Sequence, residues 1–288
     1  MKPTALNLYF KSVVFATFVL IAAGGLVTST GSGLSVPDWP LSYGQVFPPM
    51  IGGIRFEHSH RVIAGAVGLM TLAMALLLFK YEPRLWVKNL GLLAILAVIL
   101  QALLGGLTVI YLLPTWISVA HACLAQTFFC LVVTIAYATS ADWQKEASLI
   151  QDNLTSLKRL ACTTALFIYV QLIVGAVVRH TGGRILKVHY FLAALIVLHT
   201  FLLILKISRS DGVRHALFGH VLILGTLVFA QVLLGLGALV FKHVLAPAST
   251  PRAWEVLFTA AHQSNGALVL ATCALLALKT FRMGYKAS

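Results

Sequence analysis

Read as hydrophobic and polar positions, the chain is a succession of long apolar runs separated by short polar breaks. A hydrocarbon core of roughly 30 Å needs about 20 apolar residues per helix. Eight runs meet that length: 12–31, 60–80, 89–111, 116–139, 159–179, 188–207, 216–241 and 256–279. The first, with Lys2 and Lys11 ahead of Val13–Val27, resembles a signal peptide, but no polar mature domain follows it, so it reads as a span. The most polar internal stretch, Ser140–Lys158, holds Asp142, Lys145, Glu146, Gln151, Asp152 and Asn153. It reads as a linker, dividing the chain into 1–139, 140–158 and 159–288.

Comparing the two halves exposes an internal repeat. The run from Gly24 to Gly31 (GGLVTSTG) aligns with Gly175 to Gly182 (GAVVRHTG), and Gln101-Ala-Leu-Leu-Gly105 with Gln231-Val-Leu-Leu-Gly235. His60 then falls opposite His189, and Ala120-His121 opposite Ala261-His262. Each half holds an even number of spans and so returns the chain to its starting side. The pattern predicts an all-α integral membrane protein of eight transmembrane helices, arranged as two pseudo-symmetric four-helix bundles about an axis along the membrane normal.

Composition and charge fit this picture. Hydrophobic residues make up 59% of the chain, charged residues 10%, and mean hydropathy is +0.93, which excludes an ordinary soluble fold. Of the 21 Lys and Arg residues, 14 fall on the side of the termini and of the loops after spans two, four and six. By the positive-inside rule both termini are cytoplasmic, in a cell inner membrane. The net charge of +13 is therefore topological. Its charges are scattered over loop ends and form no continuous basic stripe, so no nucleic-acid partner is implied; the partner surface is the lipid bilayer.

Chemistry concentrates on four histidines. His60, His121, His189 and His262 each lie a few residues into an apolar run, where an ionisable group is costly and marks a functional site. On the predicted topology all four lie toward the outer side, and in each half one comes from the second helix and one from the fourth. Helices so placed can face each other across a bundle core. Two opposed imidazoles suit a haem; a structural zinc site would want four tetrahedral ligands and usually thiolates. Gly105, Gly106, Gly235 and Gly237 match the histidines in depth, where they either admit a porphyrin face or let helices pack closely. His199, deep in span six without a counterpart, is structural or a proton relay. His58, His180 and His243 belong to outer boundaries, and His215 and His220 to inner ones.

The halves differ. Glu57, three residues before His60, has Leu186 as its counterpart before His189. A carboxylate beside an iron ligand in one half alone is a catalytic candidate, able to act as a base or stabilise positive charge; the plainer role is favourable placement at a helix N-terminus. The preceding loop is also unequal, with 28 residues between Gly31 and His60 against 6 between Gly182 and His189. Its Pro37-Asp38-Trp39-Pro40 and Phe47-Pro48-Pro49 point to a folded lid. The first half thus reads as a substrate chamber and the second as a fixed cofactor site. Five outer basic residues, Arg55, Arg61, Arg179, Arg184 and Lys187, cluster at the ligand-bearing ends. Their alternatives are anchoring haem propionates or snorkelling to lipid headgroups.

Together, Gly24-Gly25 through Thr30-Gly31-Ser32-Gly33-Leu34-Ser35, Pro37-Asp38-Trp39-Pro40, Glu57-His58-Ser59-His60-Arg61, Ala120-His121 and Ala261-His262-Gln263 resemble the haem A synthase family over essentially the whole chain. The resemblance implies a membrane oxidoreductase that converts a ring methyl of haem O to a formyl group, giving haem A for cytochrome oxidase. It implies that His60 and His121 hold the substrate haem O, that His189 and His262 hold a haem b, and that Glu57 is essential to turnover. It also implies proximity to the haem O-forming farnesyltransferase and to cytochrome oxidase assembly. Many members carry a cysteine pair in the first outer loop; here Cys123, Cys130, Cys162 and Cys273 all fall within spans. A mechanism needing an outward dithiol is therefore excluded, and the cysteines read as small buried apolar residues.

The rival from another class is a diheme b-type membrane electron-transfer cytochrome, using the same histidines without a catalytic acid. Placement of all four histidines at one depth argues against it, since a transmembrane wire wants haems at opposite depths. A transporter would want its ionisable residues at the midplane. The electron acceptor or donor leaves no mark in the sequence, nor does oligomeric state, with which a homo-oligomer is compatible.

Overall fold

The computed structural model describes residues 3–145, 154–245 and 251–283. Within the linker, residues 146–153, including Glu146, Gln151, Asp152 and Asn153, lie outside the described residues, as do Lys2, Lys286 and the side chains of Lys145 and His243.

Eight of the described helices are long and apolar enough to cross a membrane. They are α1 (Pro3–Ser29), α2 (Ile54–Tyr81), α3 (Leu85–Ile110), α4 (Thr115–Ala138), α6 (Thr155–His180), α7 (Leu186–Ser208), α8 (Asp211–Leu239) and α9 (Ala253–Met283). The short α5 (Ala141–Lys145) follows α4, and α8 runs directly into a π-helical turn, Val240–Val244. The protein is an all-helical, multi-pass membrane protein. Phe15, Leu69, Leu166 and Phe229 stand exposed on these helices, as expected where the solvent is lipid.

Helical geometry answers the cost of polar groups in such surroundings. The backbone closes its own hydrogen bonds, and hydroxyls bond back one turn: Thr17 to Val13 O, Thr71 to Val67 O and Thr164 to Leu160 O. Breaks fall where the chain cannot continue a helix. Glu82 and Arg84 flank Pro83 between α2 and α3, joined by an ion pair of 2.6 Å. The ends of α1 and α6 are built alike. Ser32 N–H reaches back to Val27 O and Gly183 N–H to Val178 O, both at 2.9 Å, while Gly31 (φ +69) and Gly182 (φ +66) take the left-handed conformation. Thr30 and Thr181 complete the likeness, their hydroxyls bonding Leu26 O and Val177 O at 2.7 Å.

Two compact units are present. One comprises Met1–Ile135 with Leu234–Ser264, the other Ala136–Leu233 with Asn265–Ser288. In the first unit α1 packs on α2 and α2 on α3. The start of α9 lies against the end of α1, where Thr259 Oγ1 is 2.9 Å from Ser29 Oγ and a β-carbon on Gly25 would sit 3.6 Å from the Ala260 backbone. In the second unit α6 and α7 form an antiparallel pair. There the end of α9 meets α5 and the end of α4: Arg282 Nε donates to Trp143 O at 3.1 Å, and Lys279 stands over the Tyr137 ring.

Between α1 and α2 the 24-residue connection is folded rather than extended. Asp38 receives the backbone N–H groups of Tyr43 (2.6 Å) and Gly44 (2.8 Å), Tyr43 Oη donates to Ser35 O, and Ser42 pairs with Gln45. The two N–H bonds, that of Gly44 foremost, hold the exposed Asp38 carboxyl below its ordinary range. The Trp39 indole covers Gly106 of α3, where a β-carbon would be 2.9 Å from the ring.

Candidate functional site

Each of the four histidines lies within the first three turns of its helix, and each meets a glycine near the end of the preceding long helix. A β-carbon on Gly24 would lie 3.1 Å from His60 Cε1; on Gly105, 3.3 Å from His121 Cε1; on Gly175, 3.2 Å from His189 Cε1; on Gly235, 2.9 Å from His262 Cε1. The same ring edge meets the same bare backbone in the helix pairs α1–α2, α3–α4, α6–α7 and α8–α9. Glycine is required there because the ring occupies the volume a side chain would take. Imidazoles so seated have their Cε1 edge fixed against the neighbouring helix.

These contacts bear on the two readings of the span glycines and favour close packing. Gly105, Gly106, Gly235 and Gly237 do not present bare backbone, since rings of the chain itself cover them: His121, Trp39, His262 and Phe258 respectively.

Carboxamides stand one turn before three of the seats. Gln101, one turn before Gly105, donates from Nε2 to His121 O at 3.0 Å and stands 3.3 Å from His121 Nε2. Gln171, one turn before Gly175, donates to His189 O at 2.9 Å. Gln231, one turn before Gly235, accepts from Asn265 Nδ2 at 2.7 Å. Leu20 holds the corresponding place before Gly24. His60 Nδ1 is buried with no hydrogen-bond partner. Such an orphaned nitrogen is costly in a folded protein unless a ligand is to satisfy it.

Next to His60 lies the most strongly hydrogen-bonded cluster of the first unit. Glu57, buried at 4% exposure, accepts from Val36 N–H through Oε2 (2.8 Å) and from Arg61 through Oε1 (2.6 Å). The Arg61 guanidinium also donates to the carbonyls of Asp38 and Leu41 at 2.6 Å and of Val36 at 3.3 Å. Both residues thus clasp the folded loop onto the first turns of α2. His58, equally buried, is held by Ser42 Oγ at 2.8 Å.

The remaining basic residues differ in setting. Arg55 is exposed, its guanidinium 4.9 Å from the centre of the Phe56 ring. Arg179 is half-buried at the end of α6, and Arg184 and Lys187 are exposed at the start of α7. His199 faces its own helix, Nδ1 being 2.9 Å from Leu195 O, and meets the Phe167 ring edge-on at 4.8 Å. Cys123, Cys130, Cys162 and Cys273 are free thiols inside helices, of which Cys162 is exposed and only Cys273 fully buried.

Sequence comparison supplies the context. A family model described as cytochrome oxidase assembly protein (COX15-CtaA) matches residues 8–52 and 54–187. A heme A synthase of Bacillus pumilus is 31% identical over 186 residues, covering 63% of this chain and 61% of that protein. One from Bacillus licheniformis is 31% identical over 58% of this chain and 56% of its own length, so these alignments span under two thirds of both relatives. A heme A synthase of Alkalihalophilus pseudofirmus is 27% identical over 269 residues, covering 81% of this chain and 90% of that protein.

Proposed function

The chain belongs to the cytochrome oxidase assembly protein family, and we propose that it acts as a haem A synthase, oxidising one ring methyl of haem O to the formyl group of haem A. The observation that carries this reading is the fourfold glycine–histidine seat, which fixes four imidazoles at repeat-related places in membrane-spanning helices. Iron porphyrin is the ligand class that uses imidazoles in this way. Among the described residues no group of three or more His, Cys, Asp or Glu is disposed to hold a bare metal ion.

In this reading His60 and His121 hold the substrate haem O. His60 brings a buried nitrogen that lacks a partner, and His121 a ring steadied by Gly105 and Gln101. His189 and His262 are assigned to a haem b, supported by the repeat and by the identical seat each takes on Gly175 and Gly235. When bound, haem b supplies one-electron transfer near the substrate. The chain's own part is to orient, to exclude water and to handle protons. Converting a methyl to a formyl group is a four-electron oxidation, by way of a hydroxymethyl and a gem-diol that loses water, and it draws on an electron acceptor or oxygen from outside the chain.

Glu57 is assigned the acid–base role. Its carboxylate stands on the helical turn that bears His60 and is oriented there by Arg61 and by Val36 N–H. The clasped first loop closes over that turn and limits water. Arg55, Arg179, Arg184 and Lys187 are proposed as propionate anchors, with Arg61 engaged by Glu57 and the loop carbonyls. The two halves, 1–139 and 159–288, are proposed as pseudo-symmetric bundles with cytoplasmic termini and outward-placed haem sites in the inner membrane. The farnesyltransferase that makes haem O and the oxidase under assembly are the proposed neighbours. Mass spectrometry of haem extracted from cells with and without the protein tests the function. Formyl haem that appears only with the protein is expected, and its accumulation without the protein overturns the assignment.

A further inference from the structure

We infer that Gln101 is an exchangeable cap on His121, holding the iron-binding edge of its imidazole when haem is absent and yielding it when haem arrives. This rests on the reading of His121 as a ligand of the substrate haem. The His121 ring lies along α3, with Cε1 over Gly105 (3.3 Å to a β-carbon there) and Nε2 over Gln101, 3.3 Å from its amide nitrogen. Those two residues are one turn apart and share a helix face, so one helix fixes both the edge and the tip of the ring. A ring nitrogen has a single lone pair in the ring plane. It can accept a hydrogen bond from the amide or bind iron, but not both.

The carboxamide is built to let go without leaving. Its Nε2 also donates to His121 O at 3.0 Å, which anchors the group beside the ring after the Nε2 contact is lost. Its Oε1 is buried with no partner, so release of the ring contact breaks no hydrogen bond on that side of the amide. The partner histidine is held differently: the backbone of Leu20, one turn before Gly24, bonds the His60 ring in place of a carboxamide. A ligand that must displace a hydrogen bond binds more weakly than one that need not, which suits a site whose occupant has to depart after turnover.

The test measures haem release. The purified full-length chain in nanodiscs is loaded with ferric protoporphyrin IX, and its transfer to apomyoglobin is followed by absorbance. A fast phase from the substrate site and a slow phase from the resident haem are expected. Loss of one neutral hydrogen bond predicts that Gln101→Leu and Gln101→Met slow the fast phase roughly two- to tenfold, leaving the slow phase unchanged. Gln171→Leu removes only a carbonyl bond of the same kind, so it is expected to leave the fast phase alone and isolates the part played by the ring contact. An unchanged or faster phase in both folded Gln101 variants overturns the cap, as does failure of both to fold, which would make Gln101 structural. His121→Ala separates the two readings. If the fast phase persists without the imidazole, the ligand assignment itself fails; if it vanishes while the Gln101 variants release haem as before, only the cap fails.

Discussion

His262 fills the volume that a side chain would need at Gly235: a β-carbon there would sit 2.9 Å from Cε1 and 3.2 Å from Nδ1 of the ring. Real β-carbons do not tolerate such contacts, so Gly235→Ala must tilt the imidazole or part the helices. Overpacking of this kind costs about 1–3 kcal/mol. Gly105→Ala, at 3.3 Å from His121 Cε1, is the gentler change. The expected order of disturbance is therefore Gly235→Ala greater than Gly24→Ala and Gly175→Ala, with Gly105→Ala least, read from thermal stability and from the low-spin haem absorption bands of purified protein. Equal, wild-type behaviour of Gly235→Ala would mean that the ring moves aside freely.

The histidines divide by site. His189→Ala and His262→Ala are expected to lose resident haem, whereas His60→Ala and His121→Ala retain it and fail to hold added haem O. Pyridine haemochrome content and optical spectra of the four purified variants check this. Full low-spin haem in both His189→Ala and His262→Ala would remove the haem b assignment.

How far the sequence foretold this arrangement depends on the kind of signal. Hydropathy placed the middle of all eight spans, because lipid demands apolar residues around a helix on every side. It started the second span at His60, while α2 begins at Ile54. Arg55, Glu57 and His58 count as polar, yet Glu57 and Arg61 pair one turn apart and are sheltered by the loop, which makes the turn both helical and buried. The repeat exposed the histidines and their glycines as matching positions, but not that each glycine receives a ring. Gln171 escaped notice although Gln-x-x-x-Gly recurs at 101–105, 171–175 and 231–235. That spacing was the available signal. No periodicity could have foretold α5 or the π-turn after α8, which are five residues each and set by local packing.

Glu57 separates structural from chemical roles. Glu57→Gln keeps an oxygen to accept from Val36 N–H and loses the charged half of the bond to Arg61. The expected loss of stability is about 1.5–3 kcal/mol, the range for a hydrogen bond to a charged group. Resident haem should remain while formyl haem no longer forms. Haem extracted from cells expressing the variant, analysed by mass, reads the chemistry, and haem content of the purified protein reads the fold. Haem A accumulating at the parental rate would confine Glu57 to clasping the loop.

Asp38 gives the first loop a dependence on acid whose sign follows from its bonds. The N–H groups of Gly44 and Tyr43 stabilise the carboxylate, so its folded pKa lies below the ordinary value of 3.8. A group depressed on folding contributes stability that is fully present above its unfolded pKa and is lost as pH falls through the folded one. The loop should therefore hold its shape from neutral pH down to about 4 and loosen only below that. Trp39 reports on it, since its indole lies on the Gly106 backbone. In a variant keeping Trp39 as its sole tryptophan, emission should stay constant across the upper range and shift to the red in stronger acid. Asp38→Asn, which cannot carry the charge that both N–H groups favour, should be red-shifted already at neutral pH and respond less to acid. An unshifted Asp38→Asn spectrum would show that the clasp of Arg61 on the Asp38, Leu41 and Val36 carbonyls holds the loop without help from this turn.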